Sequence, residues 1–294
     1  ELNALRRRAF EALERQLGAR DPIPFSPVDP HIPPHQRTTR QQFWLRVADR
    51  AQIPQSLPSH VEKLIFPCHF PDEVFADLSA GVCAEIPRGL FGIEERVAER
   101  LRRLYRLGVR EAFAGTLDGV RLAQECGMRV LGGFGLNICN TFALREAERL
   151  GISACVLSPE INAAALNHLG AGIPTGVFAY GRLPVMSVRN CPLKNGRTCA
   201  ACTPETRFIT DRKGCRFPVE CFKNPCNDIL NCVPLRMEDK LGELRRADAF
   251  LLYFTGETPV EVQEITAKYA QALDGCPVDR PAGAFTRGLF YRQV

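Results

Sequence analysis

Residues 111–157 read EAFAGTLDGVRLAQECGMRVLGGFGLNICNTFALREAERLGISACVL, and the fold is decided here. Three short apolar runs, Glu111–Gly115, Arg129–Phe134 and Ala154–Leu157, alternate with two segments of helical periodicity, Leu117–Cys126 and Thr141–Leu150. Gly127 and Gly151 close those segments, as glycines do where a helix ends in the left-handed conformation. Strand, helix, strand, helix, strand is the rhythm of a parallel sheet covered by helices.

The same rhythm extends in both directions. Further strands are predicted at Phe43–Ala48, Lys63–Pro67, Val82–Pro87, Thr175–Ala179 and Ala249–Phe254, and helices at Ile93–Leu107, Glu160–Leu169 and Pro259–Leu273. Thr141 and Thr258 read as helix starts, and Gly108 and Gly170 as further C-terminal glycines. Eight strands predict a (β/α)8 barrel of the TIM type, for which 294 residues is ample length. The rival is a doubly wound open sheet. No Gly-x-Gly-x-x-Gly turn follows a strand as a dinucleotide fold requires, and Gly132-Gly133-Phe134-Gly135 only comes near it.

Ahead of the barrel, residues 1–20 read as an amphipathic helix with Leu2, Leu5, Phe10, Leu13 and Leu17 on one face, and 21–40 as a Pro-rich linker. The expected domains are therefore 1–40, helix and linker, and 41–294, the barrel. The opening residues carry neither an initiator Met nor a secretory apolar region, so a piece of a longer chain is expected. No apolar run reaches the roughly 20 residues of a membrane span, and no membrane partner is expected. A net charge of +5 permits RNA or a small anionic metabolite without requiring either.

Of the 13 cysteines, Cys68, Cys83, Cys126, Cys139, Cys155 and Cys276 are scattered, mostly in apolar contexts where a free cysteine acts as a small hydrophobe. The rest crowd between 191 and 232, among Lys, Arg, Asn and Pro. A secreted disulfide scaffold would spread its cysteines through a small chain. Reduced thiols serving a metal, in a cytoplasmic protein, are the better reading.

The pattern is Cys191-x7-Cys199-x2-Cys202-x23-Cys226, with Cys215, Cys221 and Cys232 nearby. Two thiolates at x2 spacing grip one metal from a tight loop, and two flanking cysteines complete four ligands, for zinc or for an iron–sulfur cluster. Zinc ribbons pair two Cys-x2-Cys knuckles; this chain has one, which favours the cluster. The cysteines fall in an insertion at 182–247, between the seventh and eighth strands. In a barrel the βα loops open on the C-terminal face, where active sites lie.

Tyr180-Gly181-Arg182-Leu183-Pro184, Asn190-Cys191-Pro192, Cys199-x2-Cys202, Asp211-Arg212-Lys213-Gly214 with Phe217-Pro218-Val219, and Cys226 before Ile229-Leu230-Asn231 resemble the signature of peptidase family U32. Leu136–Asn140, Leu157–Glu160, Phe254–Thr258 and Phe285–Gly288 resemble other motifs of that family, so the likeness spans 43–294. It implies a barrel and a four-cysteine [4Fe–4S] cluster. It also implies one of two activities, collagenase-like proteolysis or oxygen-independent hydroxylation of RNA bases or of a small aromatic metabolite, with prephenate as a source of the hydroxyl. Some relatives carry a cysteine where this chain has Pro184 and space the knuckle by x3, which makes Cys221 an alternative to Cys199 or Cys202. The third class is a non-catalytic metal module that binds RNA or a partner subunit.

Strand-end polar residues are the candidates for substrate contact: Arg88, Asn137, Asn140, Ser158, Glu160, Tyr180 and Arg182. Arg88 and Arg182 offer a bidentate fork to a carboxylate or phosphate, although solvated rim arginines would look the same. Asn140 and Ser158 are equally good helix caps. A pocket bounded by Arg88, Asn137, Ser158 and Tyr180, faced by the metal, is expected. No His-Glu-x-x-His or Gly-x-Ser-x-Gly motif supports proteolysis, and the five histidines pair with no cysteine motif.

Overall fold

The computed structural model describes residues 1–19, 24, 40–76, 81–170, 172–194, 203, 207–221 and 226–292. The chain forms two compact units, Glu1–Ile32 and Pro33–Val294. In the first, helix α1 (Leu2–Gly18) buries none of its residues, and Leu2, Leu5, Phe10, Leu13 and Leu17 are all exposed.

In the second unit the strands are β1 (Gln42–Arg46), β2 (Val61–Pro67), β3 (Val82–Glu85), β4 (Glu111–Ala114), β5 (Arg129–Gly132), β6 (Ile152–Val156), β7 (Thr175–Gly181) and, much later, β13 (Ala249–Tyr253). Each pairs in parallel with the next; β13 pairs with both β7 and β1, and β6 with β7, so the ring closes. This is the eight-stranded parallel barrel expected from the sequence, and every predicted strand is present. Helices α3 (Glu94–Arg106), α4 (Leu117–Glu125), α5 (Thr141–Arg149), α6 (Ala163–Asn167) and α7 (Pro259–Leu273) alternate with them, joined by the short α2 (Asp72–Ala76), which the apolar pattern did not announce.

Local chemistry sets these boundaries. Thr258 and Glu261 form a reciprocal capping box with Pro259 in the first turn of α7. α5 begins at the expected Thr141, and Asn140 caps it, its side chain accepting the Ala143 N–H. Gly108, Gly127 and Gly151 take positive φ after their helices, whereas Gly170 does not.

Alternation along β1 sorts inside from outside. Phe43 rests edge-on against Tyr269 of α7, at 6.3 Å between centroids, so Trp44 and Arg46 point into the barrel. Trp44 fits there because the facing β7 position is Gly176. A Cβ on Gly176 would stand 2.4 Å from the indole ring.

At its C-terminal end β7 changes neighbour. β6 accompanies it only at Thr175 and Gly176, and the two-residue antiparallel strand β12 (Leu235–Arg236) takes over at Tyr180 and Gly181. The barrel is therefore split between β6 and β7 on its C-terminal side. The insertion, for which the sequence predicted no strands, contains a four-stranded antiparallel sheet ordered β8 (Pro184–Val188), β11 (Asn227–Leu230), β10 (Arg216–Cys221), β9 (Phe208–Thr210). Its strands are short, and prolines at 184 and 218 weaken their signal. Among the described residues no helix is long and apolar enough to cross a membrane.

Gly176→Ala should crowd the Trp44 ring and lower stability by about 1–3 kcal/mol. Chemical denaturation would show this as a reduced midpoint with an unchanged slope; an unchanged midpoint would refute the packing described.

Candidate functional site

The C-terminal ends of β1, β3 and β13 carry Arg46, Glu85 and Tyr253. Arg46 is fully buried, donates from Nε to Glu85 at 2.9 Å and from Nη1 to the Phe254 carbonyl at 3.1 Å, and lies 4.3 Å from the Tyr253 ring centroid. Tyr253 in turn donates to Glu85 at 3.1 Å. The remaining partner comes from the insertion: Glu220 of β10 meets Arg46 Nη1 at 2.6 Å. The insertion sheet is thus seated on the C-terminal face by an ion pair made inside the barrel.

Two further contacts fix that seat. Asp228 of β11, which pairs across the strands with Glu220, lies 3.7 Å from Arg88 just beyond β3 and accepts from Ser187 of β8. The Cys226 thiol lies against Gly89, where a Cβ would come within 2.4 Å of the sulfur. Arg189 completes this corner by covering Phe91, a non-glycine residue at positive φ, at 5.5 Å.

Burial dominates the electrostatics. It pushes the Glu220 carboxyl up to about 7, with Arg46 pulling the other way and Glu85 and Asp228 adding to the rise. Arg46 stays charged despite desolvation because Glu220 and Glu85 face it. The Cys226 thiol is raised by burial and by Asp228, so releasing its proton to a metal would couple metal binding to pH.

Of the predicted ligands, Cys191 is half-buried and Cys226 buried, while Cys199 and Cys202 lie outside the described residues. The register places Asn227 opposite both Val188 and Cys221. Cys191, Cys221 and Cys226 therefore belong to one end of the insertion sheet. Among the described residues no group of three His, Cys, Asp or Glu side chains is arranged to hold a metal. The scattered cysteines behave as expected at 68, 83, 126 and 155, all buried, but Cys139 and Cys276 are exposed.

The expected substrate pocket is assembled only in part. Arg88 lies over Phe134 at 5.6 Å and beside Gly135, on the same strand-end loop as Asn137. Ser158 donates to Asn137 at 2.5 Å and accepts from the Glu160 N–H at 3.2 Å, so these three belong together; Glu160 itself is exposed. Asn140 caps α5, as above.

Tyr180 does not bound this pocket. Its ring packs on Phe254 and Tyr269, and its hydroxyl donates to Glu257 at 3.0 Å on the helix side of the barrel. The register shift between β7 and β13 at this point turns it outward. Arg182 is likewise committed, donating to the carbonyls of Asn231 and Cys232. Sequence reasoning missed Arg46, Glu85, Glu220 and Asp228. The one available signal was an arginine ending an apolar strand, where a buried charge needs partners that sequence does not place.

Compared with known families and with curated proteins, the chain matches none. Among solved structures, that of the U32 peptidase Mk0906 is similar, with a TM-score of 0.46 and 12% identity over 78% of this chain and 98% of the other. That neighbour bears the family name that the motifs resemble; the barrel described here rests on its own strand pairing.

Because Glu220 is held above its ordinary 4.5, its contribution to stability is complete below about pH 4.5 and is lost as pH rises through about 7. Glu220→Gln should flatten the pH dependence of unfolding in that window, an effect on the order of a few kcal/mol. Identical profiles for the two proteins would disprove the burial of this carboxyl.

Proposed function

We propose that this chain is the cluster-bearing barrel of a U32-type enzyme, an oxygen-independent hydroxylase that acts on an RNA base or a small aromatic metabolite. The observation that carries this reading is the seat of the insertion. The Arg46–Glu220 pair holds a cysteine-rich sheet on the C-terminal face, with Cys226 beside the loop that carries Arg88.

Soft thiolate donors suit an iron–sulfur cluster, and zinc is the alternative. Cys191 and Cys226 would hold it from the described residues, with Cys199 and Cys202, or Cys221 in place of one of them, completing the set. Such a cluster supplies electron transfer or a Lewis-acidic iron when bound. Arg88 would grip a carboxylate or phosphate of the substrate, and the Asn137–Ser158 pair would orient a polar group beside it. Prephenate as the hydroxyl source follows only from the family resemblance.

The surface of the insertion favours an anionic partner. Arg189, Arg212, Lys213 and Arg216 are exposed, and Arg216 covers Phe208 at 3.4 Å, a mixture of cation and aromatic suited to stacked bases.

A peptidase that works through a covalent intermediate needs a thiol or hydroxyl beside a base. Cys68, next to His69 in sequence, has its thiol pushed up to about 12 by burial, which leaves it a poor nucleophile. His60 bonds Asp274 at 3.0 Å at the N-terminal end of the barrel, opposite the insertion.

Anaerobically purified protein should contain iron and sulfide. Cys191→Ser and Cys226→Ser should lose its visible charge-transfer absorbance, while Cys126→Ser keeps it. Arg88→Ala should retain iron and fold yet lose about tenfold or more in substrate binding or turnover. Full iron in both ligand variants would refute the metal assignment, and an equally active Arg88→Ala would refute the substrate site.

A further inference from the structure

A second concavity lies in the helix layer, apart from the site above. Between the loop that leaves β2 and the first turns of α3 is a cleft of about 630 Å³, a size that suits a small molecule. Its floor is apolar and buried, made by Cys68, Phe70, Pro87 and Val97. Phe66 stacks on Phe70 at 5.9 Å and His69 meets the same ring edge-on at 5.6 Å, so this floor is held in place.

The rim is basic. Arg96, Arg100 and Arg103 line the cleft from one face of α3, at the spacing of successive helical turns. Arg100 ties the loop to the helix: Nε donates to the Cys68 carbonyl at 2.7 Å, Nη2 to the Phe70 carbonyl at 2.5 Å, and Nη1 pairs with Asp72. These bonds use three of the five N–H groups of its guanidinium. Arg103 donates to the other oxygen of Asp72 at 2.7 Å, so one carboxylate serves two arginines. Arg96, one turn earlier, makes no hydrogen bond or ion pair among the described residues. Three arginines against Asp72 and Glu73, the two acids of the lining, leave an excess of positive charge even with His69 neutral.

We propose that this cleft binds a small organic anion, whose carboxylate or phosphate is held by Arg96 and the remaining N–H groups of Arg100 and whose apolar body rests on Phe70, Pro87 and Val97. A guanidinium grips an oxyanion through two parallel N–H groups, which makes the unpaired Arg96 the principal anchor. The buried floor takes the rest of the ligand out of water. Arg88, assigned to the substrate of the barrel mouth, does not line this cleft and lies instead over Phe134. The two sites are separate, and this one does not depend on the metal.

Calorimetric titration of the full chain with phenyl phosphate, benzoate and inorganic phosphate tests this. At least one of the two aromatic anions should bind, the tighter one identifying the headgroup, and inorganic phosphate should bind about tenfold or more weakly for want of an apolar body. Arg96→Ala should weaken the aromatic anion about tenfold or more, the effect of one charge-assisted contact, without changing the melting temperature. Arg106→Ala removes an arginine that is likewise unpaired among the described residues and lies on the same helix outside the cleft, and it should bind as wild type does. Arg88→Ala should also keep this binding, which separates it from any anion held at the barrel mouth. Failure of both aromatic anions to bind, equal losses in Arg96→Ala and Arg106→Ala, or loss in Arg88→Ala alone would each overturn the proposal.

Discussion

A guanidinium with no access to water sits at the end of the first barrel strand, and much of the C-terminal face follows from the need to compensate it. Removing a charge from water costs several kcal/mol unless partners and hydrogen bonds replace the solvent. Arg46 has Glu85 from the barrel, the Phe254 carbonyl and the Tyr253 ring, and its other carboxylate comes from β10 of the insertion. Barrel and insertion are therefore mutually dependent: without Glu220 the guanidinium is under-compensated, and without Arg46 two carboxylates are stranded.

That dependence gives the insertion a fixed place. With Glu220 anchored, its cross-strand neighbour Asp228 faces Arg88, and Cys226 fits the space left by the missing side chain of Gly89. The split between β6 and β7, occupied by β12, leads the chain from the insertion back to the helix layer. There Tyr269 accepts the Met237 N–H and Arg287 binds the Arg236 carbonyl and Asp239. Several stretches that resemble family motifs thus do structural work here. Glu257 ties Tyr180 to the loop after β13, and Arg287 ties the C-terminal segment to β12.

The same physics separates the cysteines. In the barrel, the Cys68, Cys83 and Cys155 thiols are raised by burial and behave as small apolar side chains. Among the described cysteines of the insertion, Cys191, Cys221 and Cys226 lie toward one end of the small sheet, whereas Cys215 precedes β10 and Cys232 follows β11.

Periodicity and helix-ending glycines determined the barrel: eight apolar runs alternating with helical segments leave few other ways to bury both faces of a parallel sheet. The spacing of Cys191, Cys199, Cys202 and Cys226 singled out the insertion as the candidate metal site. Side-chain direction at the strand ends was not legible. Tyr180 and Arg182 follow a strand just as Arg88 does, yet a register shift turns Tyr180 toward α7 and backbone carbonyls claim Arg182. Nor could sequence pair Arg46 with Glu220, 174 positions away. Local pattern reports which face of an element is apolar; which distant charges share a buried volume is decided only when the ring closes and the insertion folds over it.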